Sequence, residues 1–168
     1  SSISVNYYLF GTGTSQHGAF TAQASGSNPR FTLRDPSGSQ YTLTTTDGLI
    51  STGVWYHVVY VWDATASVND RMKIYIDGVL NESNNIAGPT SLRASGTYVN
   101  SNGLINAYRQ SPLNASSSDT HIDEIGLFTR SLNDDEVAAI YNATTLNTTA
   151  NLATLSTGAP YAWYRMGD

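Results

Sequence analysis

Between Gly53 and Asp63 the chain reads Val54-Trp55-Tyr56-His57-Val58-Val59-Tyr60-Val61-Trp62, apolar or aromatic at nearly every position. A strand with one wet face alternates apolar and polar residues, so a run without alternation predicts a strand buried on both faces. Trp55 and Trp62 are an odd number of residues apart, which at period two sends them to opposite faces. His57 falls on the Trp55 face, where a hydrogen-bonded core or rim histidine is the first expectation and a ligand or catalytic histidine the second. A chain built around such a strand needs a layer on each side of it.

Other strand signals surround this run. Phe31-Thr32-Leu33 and Tyr41-Thr42-Leu43-Thr44-Thr45 are β-branched and aromatic segments. Between them Asp35-Pro36-Ser37-Gly38 reads as a turn, with proline where its fixed φ fits. Asp47-Gly48 and Asp77-Gly78 are two-residue hairpin signals, the second closing Lys73-Ile74-Tyr75-Ile76. Many short strands with frequent turns predict an all-β sandwich or barrel. One helix stands out near residues 134–142. Asn133 is its N-cap and Glu136 completes a capping box, while Leu132 and Val137 form a hydrophobic staple. Asp134, Asp135 and Glu136 sit at the positive end of its dipole. Val137, Ile140 and Tyr141 make one apolar face, as for a surface helix packed on a sheet.

Composition limits what the chain does. Its 168 residues make one domain, large enough to bury a substantial core. There is no cysteine, so neither disulfides nor thiolate metal sites are available. Eight basic against 13 acidic residues give a net charge of −5 without a basic stripe, which argues against nucleic acid as a partner. No apolar run is long enough for a membrane helix, and no leader of the secretory type opens the sequence. Only 12% of residues are charged, while Ser, Thr, Asn and Gly abound, a surface suited to an extracellular or virion protein. Four Asn-x-Ser/Thr triplets begin at Asn81, Asn114, Asn142 and Asn147; in a chain this rich in those residues chance accounts for most of them.

Four blocks in order carry a family resemblance: Trp55–Val59, Lys73–Gly78, Ile122–Phe128 and Arg130–Val137. None is specific alone. Together, over about 85 residues, the chain resembles the laminin-G-like branch of the concanavalin-A-like lectin and glucanase domains, of the type found in tandem in phage and marine microbial surface proteins. The resemblance implies a jelly-roll sandwich of two antiparallel sheets with one short helix. It also implies a jelly roll over 1–145 that lacks its usual first strand. A Thr/Asn/Ala-rich linker or edge segment follows over 146–160. The segment 161–168, with Tyr161-Ala162-Trp163-Tyr164-Arg165-Met166, then either begins a next repeat or completes the sandwich. The absence of the cysteines common in animal members favours a bacterial or phage type.

Function is less sharply marked. Retaining glycoside hydrolysis needs two carboxyl groups about 5–5.5 Å apart. The glucanase-like relatives supply them from alternate positions of one strand; here Asp123 and Glu124 are adjacent and point to opposite faces. The expected role is therefore non-catalytic: a structural or adhesion module on a virion or cell surface, presenting itself to partner proteins, other copies of the chain or host glycans. A calcium-assisted carbohydrate-binding domain is the alternative, and a polysaccharide-degrading enzyme the third reading. The resemblance makes Asp123 the candidate ligand of one structural Ca²⁺, with backbone carbonyls near the domain start completing the oxygens such an ion needs. Glu124 is then a cross-strand partner of Arg130 or Arg165. Asp63, Asn69 and Asp70 flank a loop and read as a solvated turn. Tyr98, Asn100, Asn102, Tyr108 and Arg109, with Tyr7 and Tyr8, combine aromatic rings with amides and are the candidate glycan-binding set, the alternative being that these tyrosines pack within or between strands.

Overall fold

The computed structural model describes residues 6–12, 20–25, 28–46, 48–82, 87–93, 103–105, 107–110, 114–117, 121–143 and 150–165. Among these, the strands are β1 (Asn6–Thr12), β2 (Phe20–Ser25), β3 (Asn28–Arg34), β4 (Gln40–Thr44), β5 (Val58–Trp62), β6 (Met72–Ile76), β7 (Val79–Glu82), β8 (Gly103–Ile105), β9 (Ala107–Gln110), β10 (Asn114–Ser117), β11 (Ile125–Leu127) and β12 (Ala162–Tyr164). The helix α1 spans Asp134–Ala143. All pairings among them are antiparallel. One sheet has the order β4-β3-β2-β1-β8, another β5-β6-β7, and β9-β10 and β11-β12 form two-stranded ribbons.

The two larger sheets face each other across a shared core. Phe31, Leu33 and Leu43 come from the first sheet and Met72 and Ile74 from the second, with Val58, Tyr60 and Trp62 packed against them. The Phe31 and Tyr60 rings meet across the gap with centroids 5.5 Å apart. Truncating a fully buried residue such as Leu33 to alanine costs about 2–5 kcal/mol in a core of this kind. Thr32 is buried yet satisfied, because its hydroxyl bonds that of its cross-strand partner Thr42 at 3.1 Å.

The second sheet is covered on its other face as well. Val61 and Tyr75 point away from the shared core and meet Leu132, Val137 and Ile140 of the helical segment, joined by Ala150 and Leu152. Val59, Phe128, Leu155 and Trp163 pack around them. The non-alternating pattern of Val58–Trp62 therefore has the expected cause: β5 lies in a middle layer. The expectation fails for the first part of the run. Val54 and Trp55 are 57% and 65% exposed, and β5 begins only at Val58. Gly53 takes a left-handed turn at φ +77°, and Ser51 N–H donates to the Tyr56 hydroxyl at 3.1 Å, closing a loop. His57 N–H is then capped by the Asp77 carboxylate at 2.9 Å, which replaces the carbonyl of a strand partner and ends the ladder.

Two of the turn signals match their backbone; Asp47 lies outside the described residues, and β4 and β5, which flank Asp47-Gly48, pair with β3 and β6 rather than with each other. Asp77 and Gly78 have φ of +50° and +80°, the left-handed pair that joins β6 to β7 with Ile76 opposite Val79. Gly38, at φ +91°, ends the Asp35 turn, whose carboxylate accepts from Ser37 Oγ at 2.6 Å and Ser39 N–H at 2.9 Å. The capping box of α1 is reciprocal: Glu136 N–H donates to Asn133 Oδ1 at 2.9 Å, and Asn133 N–H donates to Glu136 Oε2 at 2.8 Å.

The region after the helix is more integrated than its composition suggests. Within the segment read as a linker or edge, Ala150 and Leu152 are buried in the outer core. Asn151 caps a short 3₁₀ turn over Leu152–Thr154 by accepting from Ala153 N–H at 3.2 Å. Leu152 Cδ1 lies 2.7 Å from where a Cβ of Gly126 would be, so a larger residue at this position of β11 requires the end of the Leu152 side chain to shift. The β12 strand pairs with β11 in the register Ile125 with Tyr164 and Leu127 with Ala162.

Candidate functional site

The sequence candidates separate in space and in role. Asp123 is exposed just ahead of β11. No group of three His, Cys, Asp or Glu side chains able to hold a metal gathers among the described residues. Calcium takes six to eight oxygens. The expected site draws on backbone carbonyls near the domain start besides Asp123, and residues 1–5 and 13–19 of that region lie outside the described residues. Tyr98, Asn100 and Asn102 lie outside the described residues. Tyr108 and Arg109 belong to β9, opposite Ser116 and Ala115 of β10. Tyr7 and Tyr8 belong to β1, opposite Ala24 and Gln23 of β2.

Glu124 has a structural task. Its backbone is left-handed at φ +55° directly ahead of β11 (Ile125–Leu127), and its side chain is largely buried. One carboxylate oxygen accepts from Trp163 Nε1–H at 2.8 Å, and the other lies 3.5 Å from Arg165 Nε. The Arg165 guanidinium in turn sits 5.0 Å from the centre of the Trp163 ring. Arg165 is thus the cross-strand partner, whereas Arg130 pairs with Glu136 at 2.8 Å.

Other carboxylates are similarly engaged. Asp63 accepts from Thr65 N–H and Oγ1 at 2.8 and 2.7 Å and from Ser131 Oγ at 3.2 Å, tying the β5–β6 turn to the approach to α1. These bonds hold its carboxyl below the usual range, those from Thr65 foremost. Asp70 accepts from Ser67 Oγ at 2.5 Å within the same turn. Asp134 accepts from the buried Tyr75 hydroxyl at 2.6 Å, which lowers its pKa and raises that of Tyr75, the latter chiefly through burial. Glu136 is lowered to about 2, with the bond from Arg130 the largest cause.

His57 packs in the rim, its ring stacked 5.9 Å from that of Tyr141 on α1. Burial pushes its pKa down against the opposing pull of Asp77, and its buried Nδ1 has no hydrogen-bond partner among the described groups. Sequence reasoning missed a different feature. Val54 and Trp55 precede His57 on the exposed loop, and Val79 and Leu80, 65% and 38% exposed, follow the Asp77-Gly78 turn beside it. The available signal was Gly53, a turn residue directly before the run.

A family model described as the concanavalin A-like lectin/glucanases superfamily matches residues 2–138. The chain belongs to this superfamily. Its antiparallel sheets, shared core and single α-helix among the described residues are the sandwich expected of such a domain. Among solved structures, the binding domain of botulinum neurotoxin serotype G aligns at a TM-score of 0.45 and 16% identity, covering 83% of this chain. The aligned part is 31% of that toxin chain. A search of curated proteins returned no match.

Proposed function

We propose that the chain is a non-catalytic structural or adhesion module of a virion or cell-surface protein, presenting its sandwich to partner proteins or host glycans. The observation that carries this reading is how its carboxylates are used. Asp35, Asp63, Asp77, Glu124, Asp134 and Glu136 each hold a turn, a strand end or a helix end in place. Hydrolysis of a glycosidic bond needs a facing pair of carboxyl groups, one acid and one base or nucleophile. Groups committed to N–H and O–H donors within the fold are poorly placed for that work. A surface of hydroxyls and amides with 12% charged residues fits exposure outside the cell or on a particle. In this reading β12 completes the sandwich of its own domain, supported by its pairing with β11 and by Trp163 against the outer core.

The test incubates the purified chain with a panel of neutral and acidic polysaccharides and follows both retention and the release of reducing ends. The reading expects retention or none, without release. Release that disappears on Asp123→Asn or Glu124→Gln would overturn it in favour of an enzyme. Repeating retention after EDTA treatment separates the calcium-assisted alternative, which expects binding to vanish and to return with Ca²⁺.

A further inference from the structure

Phe31, Leu33 and Leu43 turn one face of the β4-β3-β2-β1-β8 sheet into the shared core. The ladder therefore puts Arg30, Thr32 and Arg34 of β3 on the opposite face, beside Thr44, Thr42 and Gln40 of β4. Arg30, Arg34, Thr42 and Thr44 are partly exposed there, and Gln40 is exposed. Gln40 donates to Thr42 Oγ1 at 3.0 Å, and Thr42 and Thr32 share a bond at 3.1 Å, so this polar surface is held in place. The Arg30 side chain is not engaged in the same way. Its Nε is buried without a hydrogen-bond partner, and no carboxylate pairs with its guanidinium among the described residues. Arg71, whose Nε is also unpartnered, still gives Nη1 to the Gly88 carbonyl at 3.0 Å. Buried donors rarely lack an acceptor, so the Arg30 fork calls for one from outside the described fold.

Charge and composition narrow what that acceptor is. The chain carries −5 overall, yet its first 34 residues hold two arginines and no Asp or Glu. The first acidic residue, Asp35, is spent on its own turn. On β2, β3 and β4 this face has no apolar position, since Thr21, Gln23 and Ser25 of β2 fall opposite Thr32, Arg30 and Asn28. One row of cross-strand pairs runs Thr44, Arg30, Gln23, Tyr8, which brings Tyr8 of the candidate glycan set level with Arg30. We propose that this face binds an acidic polysaccharide, Arg30 taking a carboxylate or sulfate group through its forked N–H donors while the threonines and Gln40 meet the sugar hydroxyls. A protein segment would find no apolar anchor point on these strands. A nucleic-acid strand would need several cations to meet its phosphates. A lipid surface would meet no apolar side chain to insert. The proposal rests on the adhesion reading and names the class of glycan it would present to.

The test titrates the purified chain onto immobilised polygalacturonate, heparin, dextran and single-stranded DNA at two salt concentrations. The expected result is binding to polygalacturonate, heparin or both that exceeds binding to dextran and DNA and weakens with added salt. Polygalacturonate alone assigns the carboxylate as the recognised group, and heparin alone the sulfate. Arg30→Gln should bind roughly tenfold or more weakly. Arg30→Lys keeps the charge but loses the fork and should fall between it and the parent. Arg165→Gln, an arginine on β12, should bind like the parent. Thermal unfolding confirms that each variant is folded, and Arg30→Lys carries the comparison if Arg30→Gln is not. No binding to either acidic polysaccharide, equal binding by the Arg30 variants, or DNA bound as tightly would overturn the proposal. Dextran bound as tightly, with no loss in Arg30→Gln, would overturn it while leaving the adhesion reading intact. Release of reducing ends from polygalacturonate or heparin that Arg30→Gln abolishes would overturn both, in favour of an enzyme.

Discussion

At the scale of single residues, the polar groups of this chain are chiefly fasteners. His57 shows the consequence for pH. Burial lowers its pKa in the fold, so the unfolded chain binds a proton more readily. Its full contribution is present above the unfolded value near 6.5 and is lost as pH falls through that value toward the folded one. Chemical denaturation followed from pH 7.5 to 5.5 should show stability falling, and His57→Gln should flatten that slope; an unchanged slope would mean the ring titrates freely. Glu136 acts lower on the scale. With its folded pKa lowered to about 2 from 4.5, its contribution is present above 4.5 and disappears as pH falls from there toward 2. Asn133→Ala removes the other half of the capping box and should cost about 1 kcal/mol in equilibrium unfolding. The capping box was legible in the sequence because its two partners lie three residues apart. The left-handed backbone of Glu124 was not, since its reason lies in Trp163 and Arg165, far along the chain.

At the scale of elements, the informative case is the run from Val54 to Trp62. Residue type alone marked all of it as interior, and for Val58–Trp62 this was right because layers cover both faces of β5. Where the strand begins is decided by a carboxylate twenty residues on, Asp77 capping His57. The pattern could not carry that information, and so it placed Trp55 inside. The opposite error concerns residues 150–155. A Thr- and Asn-rich stretch hides Ala150 and Leu152, whose burial depends on the space above Gly126. Gly126→Ala should therefore unseat Leu152 and destabilise the chain by about 1–3 kcal/mol, as overpacking does; thermal unfolding would detect it. Glu124→Ala leaves the Trp163 N–H without its acceptor and should cost about 1–3 kcal/mol. Denaturant titration with tryptophan emission as the probe would report it, and a change near zero would mean β12 is held by packing alone.

At the scale of the whole molecule, the sandwich and its superfamily were readable from four ordered blocks, whereas the surface available to a partner was not. The blocks that identify the fold are spent on packing, turns and caps. The exposure of Trp55 emerges only when its loop is closed ahead of β5 by bonds to Tyr56 and Asp77. Trp55 is thus the position at which the account departs furthest from the sequence pattern. The free energy of unfolding of Trp55→Ser, measured by denaturant titration against the parent chain, tests it most directly. A surface tryptophan predicts a change within about 0.5 kcal/mol. A loss of about 3–5 kcal/mol, the cost of emptying a core site, would put Trp55 back in the interior.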